Sequence, residues 1–310
     1  MDKVFKSGIV IVTYNPKNDD DINNKISHYK QVCDLVVVVD NNSTNGFTIN
    51  DDDKVSVIRN AINVGHAKAL NLGCMLLLSK GFSHALLLGQ DSIITNENIA
   101  KLFLYAKSNS CGIVGPQITN QEKTLVPTYL FRTKHRFKKG TIGEDEAKEV
   151  YINITSGSVV DLLAWQKVGG FWDNLFIEKV DDEFALRLRK YKYKVCVVGS
   201  IFLSEPYGES KIVKKMGITF HPTFHNSKRL YLLYRNKMYL KKRYFFRDFP
   251  YVVFQDLSLF KRFLTVLFVE NKKFSKIWNM FKGTICGLFT HCKRTNKPYE
   301  CDPFEFVSKK

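Results

Sequence analysis

The chain has 310 residues, 45% of them hydrophobic and 25% charged, enough apolar material for one large α/β domain or two modest ones, and neither a disordered nor a fibrous composition. Its 47 Lys and Arg outnumber 30 Asp and Glu to leave +17, which favours partners bearing phosphate: nucleic acid, an anionic lipid surface or a phosphorylated substrate. Seven cysteines (33, 74, 111, 196, 286, 292 and 301) are odd in number and without a C-x-x-C pair, which argues against a disulfide framework and fits a reducing cytosol. His291 and Cys292, with Cys286 and Cys301 near, are too loosely spaced for a usual zinc site, so free thiols are expected.

Residues 1–8 are polar and lack the apolar stretch of a signal peptide. Residues 9–12 and 35–39 are continuous β-branched runs, the pattern of strands buried on both faces of a parallel sheet, with room for a crossover helix over 19–33. A third strand is expected at 55–58, a helix over 65–79 and a fourth strand at 85–88. This βαβαβαβ alternation predicts a doubly wound, mostly parallel α/β domain. A helix over 97–108 and a strand at 112–114 follow. The polar, basic residues 132–149 read as an excursion or mobile loop. Residues 158–163 read as a strand, 184–190 as a helix and 195–198 as a late strand.

Beyond residue 228 the pattern turns helical and basic, with eight Lys or Arg and no acid between 228 and 247. A division into a catalytic region 1–227 and a helical, basic aromatic region 228–310 is expected. Val253, Leu257, Phe260, Leu264, Leu267 and Phe268 form one stripe at helical spacing, either a buried face or an interfacial helix on a membrane. The apolar region 251–269 is interrupted by Gln255, Asp256, Lys261 and Arg262, so no transmembrane span is expected.

Ligands of open parallel sheets bind beyond the carboxyl ends of the strands, and here those ends are polar. The first runs into Thr13-Tyr14-Asn15-Pro16, the second into Asp40-Asn41-Asn42-Ser43 and the fourth into Gln90-Asp91-Ser92. Amides, hydroxyls and carboxylates converging on one crevice suit a nucleotide with a divalent cation. No G-x-G-x-x-G or P-loop is present.

These segments, with the run from Asn63 through Gly65 and Ala69 to Gly73, resemble the GT-A glycosyltransferases of family 2, above all their bacterial rhamnosyltransferase branch, over residues 8–236. The resemblance implies an inverting transferase that moves a sugar from a nucleotide diphosphate donor. Rhamnose from dTDP-rhamnose is the first expectation, a UDP-linked galactose, galactofuranose, glucose or N-acetylhexosamine the second. It implies a donor site of Thr13, Tyr14, Asn15, Asp40, Asn42, Asn63, Gly65, Ala69, Gln90, Asp91 and Arg235. A cation, Mg²⁺ or Mn²⁺, would sit on Asp91 and His225, with His221 as a possible substitute. Where such transferases usually read Asp-Gln-Asp-Ser, this chain reads Gly89-Gln90-Asp91-Ser92, which lacks the first carboxylate and leaves a catalytically inactive scaffold as an alternative.

The segment from Gly169 to Phe184 resembles the one carrying the family's catalytic base, in a register that makes Asp181 the base, with Asp182 and Glu183 as confusable neighbours. Ser156, Gly157, Trp172 and Asp182 are expected around the sugar or acceptor. The implied acceptor is a polyprenyl-diphosphate-linked oligosaccharide of capsule or O-antigen synthesis. The basic aromatic C-terminal region would bring the enzyme to the anionic inner face of the cell membrane as a cytoplasmic, peripheral protein. The basic stretch carries no helix-turn-helix, RNP or zinc signature, so no nucleic-acid partner is expected.

Overall fold

The computed structural model describes residues 6–49, 52–119, 127–133, 136–204, 213–215 and 217–290. The first half is doubly wound: β1 (Ser7–Thr13), α1 (Asp19–Tyr29), β2 (Leu35–Asp40), β3 (Val55–Arg59), α2 (His66–Ser79), β4 (His84–Gly89), α3 (Asn96–Ser108) and β5 (Cys111–Thr119). The second half adds β6 (Tyr129–Arg132), β7 (Phe137–Gly140), β8 (Ala147–Glu149), β9 (Ser158–Asp161), α4 (Leu162–Val168), a 3-10 turn (Asp173–Leu175), α5 (Val180–Lys190) and β10 (Lys194–Ser204). A short hairpin of β11 (Val213–Lys215) and β12 (Ile218–Phe220) precedes α6 (Ser227–Tyr244), α7 (Phe249–Phe268) and α8 (Lys273–Phe289).

Eight strands form the central sheet in the order β3-β2-β1-β4-β9-β5-β10-β8, parallel except for β9 and the edge strand β8. The all-apolar runs of β1 and β2 are explained by two cores. Val10, Val12, Val37 and Val39 face α2, α4 and α5, whereas Ile9, Ile11, Val36 and Val38 face α1 and α3. The register pairs Thr13 with Asp40 and Val12 with Gly89, so the carboxyl ends of β1, β2 and β4 finish level on one edge. That edge is where the polar strand ends meet.

Three sequence expectations are corrected. Residues 132–149 are not a loop: they contribute to the β6–β7 hairpin and to β8, which pairs with β10. The hairpin is held from outside its own sequence, by Phe137 against Tyr151 and Phe254 and by an Arg132–Asp248 ion pair of 2.9 Å. The strand read at 158–163 ends at Asp161, whose side chain accepts from Leu163 N and Ala164 N and so caps α4. The stripe on α7 is not its buried face. Val253, Leu257, Phe260 and Phe268 are exposed, while Tyr251, Val252, Gln255, Thr265 and Val266 turn inward, because α7 is oriented by its bonds to Asp182 in the first turn of α5 and by its packing on α6.

α6 begins at Ser227 and is capped by Asn226, whose side chain accepts from Arg229 N. Side chains from before and after this start share one core: Tyr239, Leu240, Tyr244, Tyr251 and Val252 pack with α2, α4 and α5. Outside them, α8 lies on α6 at backbone contact. A Cβ at Gly283 would collide with the Tyr231 carbonyl oxygen, and one at Gly287 with the Arg235 carbonyl oxygen. Among the described residues no helix is long and apolar enough to cross a membrane.

Gly283→Val should therefore pry α8 from α6 and lower stability by about 1–3 kcal/mol, measured by chemical denaturation, whereas Thr284→Val, half-buried one residue on, should cost less.

Candidate active site

The strand ends are tied to one another by their own side chains. Gln90 Oε1 accepts from Tyr14 N at 2.8 Å, joining the ends of β1 and β4, and Lys25 Nζ donates to the Gln90 carbonyl at 2.8 Å. Asp40 is buried and accepts from Ser43 N and Oγ at 3.1 and 2.5 Å, with Arg59 3.6 Å from its second oxygen. Ser43 Oγ in turn accepts from Asn15 N, and Asn15 Oδ1 from Thr44 N. Asn15 and Asn42 have positive φ, 46° and 69°, a conformation asparagine adopts more readily than most residues. Thr13 is fully buried, and its hydroxyl has no hydrogen-bond partner among the described residues. Asn63 Oδ1 accepts from Asn41 Nδ2 and Gly65 N, shaping the turn into α2.

Asp91 is exposed just beyond β4, and its carboxylate takes no partner among the described residues. A Cβ on Gly89 would meet only Ser92 Oγ at 3.5 Å, an ordinary contact, so packing does not account for the missing carboxylate. Ser92 Oγ lies 2.9 Å from Ser156 Oγ, and the residue before it, Thr155, donates to Asp181 Oδ1 from Oγ1 at 2.5 Å and from N at 3.2 Å. One short loop thus touches the end of β4 on one side and the candidate base on the other. Gly157 gives that loop a φ of +74°.

The neighbours of Asp181 are otherwise committed. Glu183 is fully buried in a two-pronged pair with Arg187 Nε at 2.7 and 2.8 Å, and Arg187 also donates to the carbonyls of Val168 and Gly170. Asp182 Oδ2 accepts from Tyr251 OH at 2.8 Å, Gln255 Nε2 at 2.7 Å and Lys179 Nζ at 3.0 Å. Asp181 alone has no cation, and burial pushes its carboxyl up to about 6, opposed by the Thr155 hydroxyl and reinforced by Asp182.

Several expected site residues lie elsewhere. Ala69 is fully buried and has no surface for a ligand. Gly65 is required by Phe176, whose ring and Cα a Cβ would strike, so its smallness serves contact between α2 and the segment before α5. Trp172 is buried against Tyr239 and the Arg243 guanidinium rather than lining an open pocket. Arg235 stacks on Tyr239 and donates to Asn174 O at 2.9 Å and to Asn236 Oδ1, which holds it on the protein's own backbone. His225 lies between Arg229, Glu178, Arg262 and Glu270, and burial and Arg229 bring it down to about 4, so it is neutral at pH 7. Among the described residues no three His, Cys, Asp or Glu side chains converge on a metal position, and any cation would be shared with ligand oxygens. His291, Cys292 and Cys301 lie outside the described residues, and Cys33, Cys74, Cys111, Cys196 and Cys286 are free thiols.

The family resemblance implies that Asn71 lies beside the diphosphate and gives Asn236 no role; in the structure both hold the site from within. Asn71, fully buried, accepts from Phe171 N and Trp165 Nε1 and donates to Phe171 O and Asp173 Oδ1. Asn236 donates to the carbonyls of Leu175, Ile177 and Glu178. A polar residue in the middle of an apolar helical face is the sequence signal for such a holding role.

The sequence model of "Glycosyl transferase family 2" matches residues 9–161. The "dTDP-rhamnosyl transferase RfbF" of Shigella flexneri is 32% identical over 285 residues, 90% of this chain and 93% of that one. The "Low-salt glycan biosynthesis hexosyltransferase Agl10" of Haloferax volcanii is 24% identical over 94% of this chain and 92% of its own length. Among solved structures, S. aureus TarS 1-349 in complex with UDP-GlcNAc superposes with a TM-score of 0.56 at 14% identity, over 90% of this chain and 82% of that one. GalNAc-T7 with UDP, GalNAc and Mn²⁺ gives 0.52 at 13% identity, over 76% of this chain and about half (48%) of that longer protein. The two structures share the GT-A fold. The chain belongs to glycosyl transferase family 2, and it is a glycosyltransferase.

If Asp181 takes a proton during transfer, the rate should be half-maximal near pH 6, approach its full value above about pH 7 and fall about tenfold per unit below pH 5, since protonation removes the base. Thr155→Val removes a hydrogen bond that favours the ionised form, so the acid limb of the rate–pH profile should move up by about 1–2 units.

Proposed function

We propose that this glycosyltransferase moves rhamnose from dTDP-rhamnose, with inversion, to a hydroxyl of a lipid-linked glycan in bacterial capsule or O-antigen synthesis. The observation that carries the reading is the loop at Thr155 and Ser156, which joins Asp181 to the end of β4 where Asp91 stands. The donor would lie across the carboxyl ends of β1, β2 and β4, with Asp40, Asn15 and Asn42 on its nucleoside and the backbone after Gln90 near its diphosphate. Asp91 and His225 would hold Mg²⁺ or Mn²⁺ together with diphosphate oxygens: the Asp91 carboxylate is open, and His225 is neutral and so able to donate a lone pair. Such a cation lowers the cost of the charge gathering on the departing diphosphate.

Asp181 accepts the proton of the acceptor hydroxyl as that oxygen bonds to the anomeric carbon. The bond from that carbon to the diphosphate breaks in line, and its electron pair leaves with the nucleoside diphosphate. Thr155 keeps the carboxylate aimed while Asp182 and Glu183 stay engaged elsewhere. The rhamnosyl donor is supported by the relative that is 32% identical, and a second reading, a UDP-linked hexose, by the hexosyltransferase relative.

A saturation-transfer NMR screen of dTDP-rhamnose, UDP-galactose, UDP-glucose and UDP-N-acetylglucosamine with Mg²⁺ or Mn²⁺ tests the donor. Selective binding of dTDP-rhamnose, lost in Asp91→Ala, is expected. Binding of a UDP-sugar alone favours the second reading, and binding of none favours an inactive scaffold. Asp181→Asn should keep donor affinity within about twofold and cut turnover by at least about 10²–10⁴-fold.

The lipid-linked acceptor goes with an anionic membrane surface as partner. The face of α8 turned away from α6 exposes Phe274, Trp278, Phe281, Ile285, Leu288 and Phe289, with Lys273 and Lys282 exposed on the same helix. Large apolar side chains beside lysines suit insertion into a charged headgroup layer. Co-sedimentation with phosphatidylglycerol vesicles, and not with phosphatidylcholine alone, should be seen, and Phe281→Asp should weaken it about tenfold or more.

A further inference from the structure

A cavity of about 340 Å³ opens between α7 and residues 221–225, within the size range of small-molecule sites. Its walls include Lys179, Lys261 and Arg262, with Thr223, Gln255 and Ser258 as neutral hydrogen-bonding groups and His221 and His225 on the side of residues 221–225, and no carboxylate lines it. Arg262 is paired with Glu270 at 3.2 Å and Lys179 with Asp182, whereas Lys261 is exposed and has no acidic partner among the described residues. Behind Gln255, Lys237 is buried with no hydrogen-bond partner, its ammonium 3.9 Å from Asp256. Two of the walls, Lys179 and Gln255, are both hydrogen-bonded to Asp182, the residue beside Asp181. The cavity is therefore next to the base and on the α7 side of it. On α7 itself, Lys261 stands one turn from exposed Leu257, and Leu257 leads to exposed Val253 and Phe260. A cationic hollow thus meets an apolar stripe at its rim.

We propose that this cavity seats the diphosphate of the acceptor lipid, with the start of its hydrocarbon chain lying along Val253, Leu257 and Phe260. The assignment rests on the lipid-linked acceptor proposed above, and it adds where the anionic head is recognised: beside Asp182, with His225, the residue proposed to meet the donor's cation, in the wall between the two sites. An anion there meets Lys261, which has no acidic partner among the described residues, beside the paired Lys179 and Arg262, and its desolvation is offset by charge-assisted hydrogen bonds. The head would fix how far the glycan's reacting hydroxyl stands from Asp181.

The test is calorimetric titration of the full-length protein, saturated with dTDP and Mg²⁺, with geranyl diphosphate, inorganic pyrophosphate and geraniol. Geranyl diphosphate should bind one to one without displacing dTDP, and more tightly than pyrophosphate or geraniol. Ser258→Glu and Lys261→Glu should each weaken it tenfold or more, with melting temperature and dTDP affinity at wild-type values. Displacement of dTDP would assign the cavity to the donor and overturn the proposal, as would unchanged affinity in both variants or equal binding of geraniol. If the wild type fails to bind dTDP, it is the donor reading that falls, and the titrations without nucleotide still decide the cavity.

Discussion

The site depends on holding one irregular stretch, residues 169–179, in a shape that a chain does not adopt unaided. Gly169 and Gly170 have positive φ, and so do Phe176, Glu178 and Lys179, where a side chain makes that conformation cost about 1 kcal/mol or more per residue. Three buried polar side chains from three helices offset this: Asn71 of α2, Arg187 of α5 and Asn236 of α6, each bonded to main-chain atoms of the stretch or its flanks. A hydrogen bond contributes about 1 kcal/mol net, and more when charged, so bonds of this number outweigh the strain. The result is a helix α5 that starts at a defined place, with Asp181 in its first turn.

The same economy explains why adjacent acids have different characters. Glu183 and Glu270 are both fully buried, and each is met by cations, Arg187 for the first and Lys276 with Arg262 for the second. Asp181 is met by a hydroxyl and an amide instead, which orient a carboxylate without neutralising it. Ion pairing holds a buried acid ionised, whereas a buried carboxyl met only by a hydroxyl and an amide has its proton affinity raised.

The sheet was legible in the sequence because strands buried on both faces must be continuously apolar, and because their carboxyl ends then stand out as sudden polar clusters, as at Thr13, Asp40 and Asp91. What was not legible had partners far along the chain. The hairpin within 129–140 owes its order to Tyr151, Asp248 and Phe254. The apolar stripe of α7 gave the right helix but the wrong buried face, since inward orientation is decided by Tyr251 and Gln255 reaching Asp182. Gly65, Ala69, Trp172 and Arg235 occur at family positions, yet their observed neighbours are protein, and spacing alone carries no record of which neighbour a side chain meets.

The backbone contact of Gly283 and Gly287 with α6 has a mechanical meaning. At these two positions the helices meet backbone to backbone, with little between them to give under load. The joint falls at Arg235, whose backbone touches both glycines and whose guanidinium grips the carbonyl of Asn174 in the turn ahead of the base. A push on the outer face of α8 would thereby reach, through α6 and its Arg235 and Asn236, the stretch that precedes Asp181.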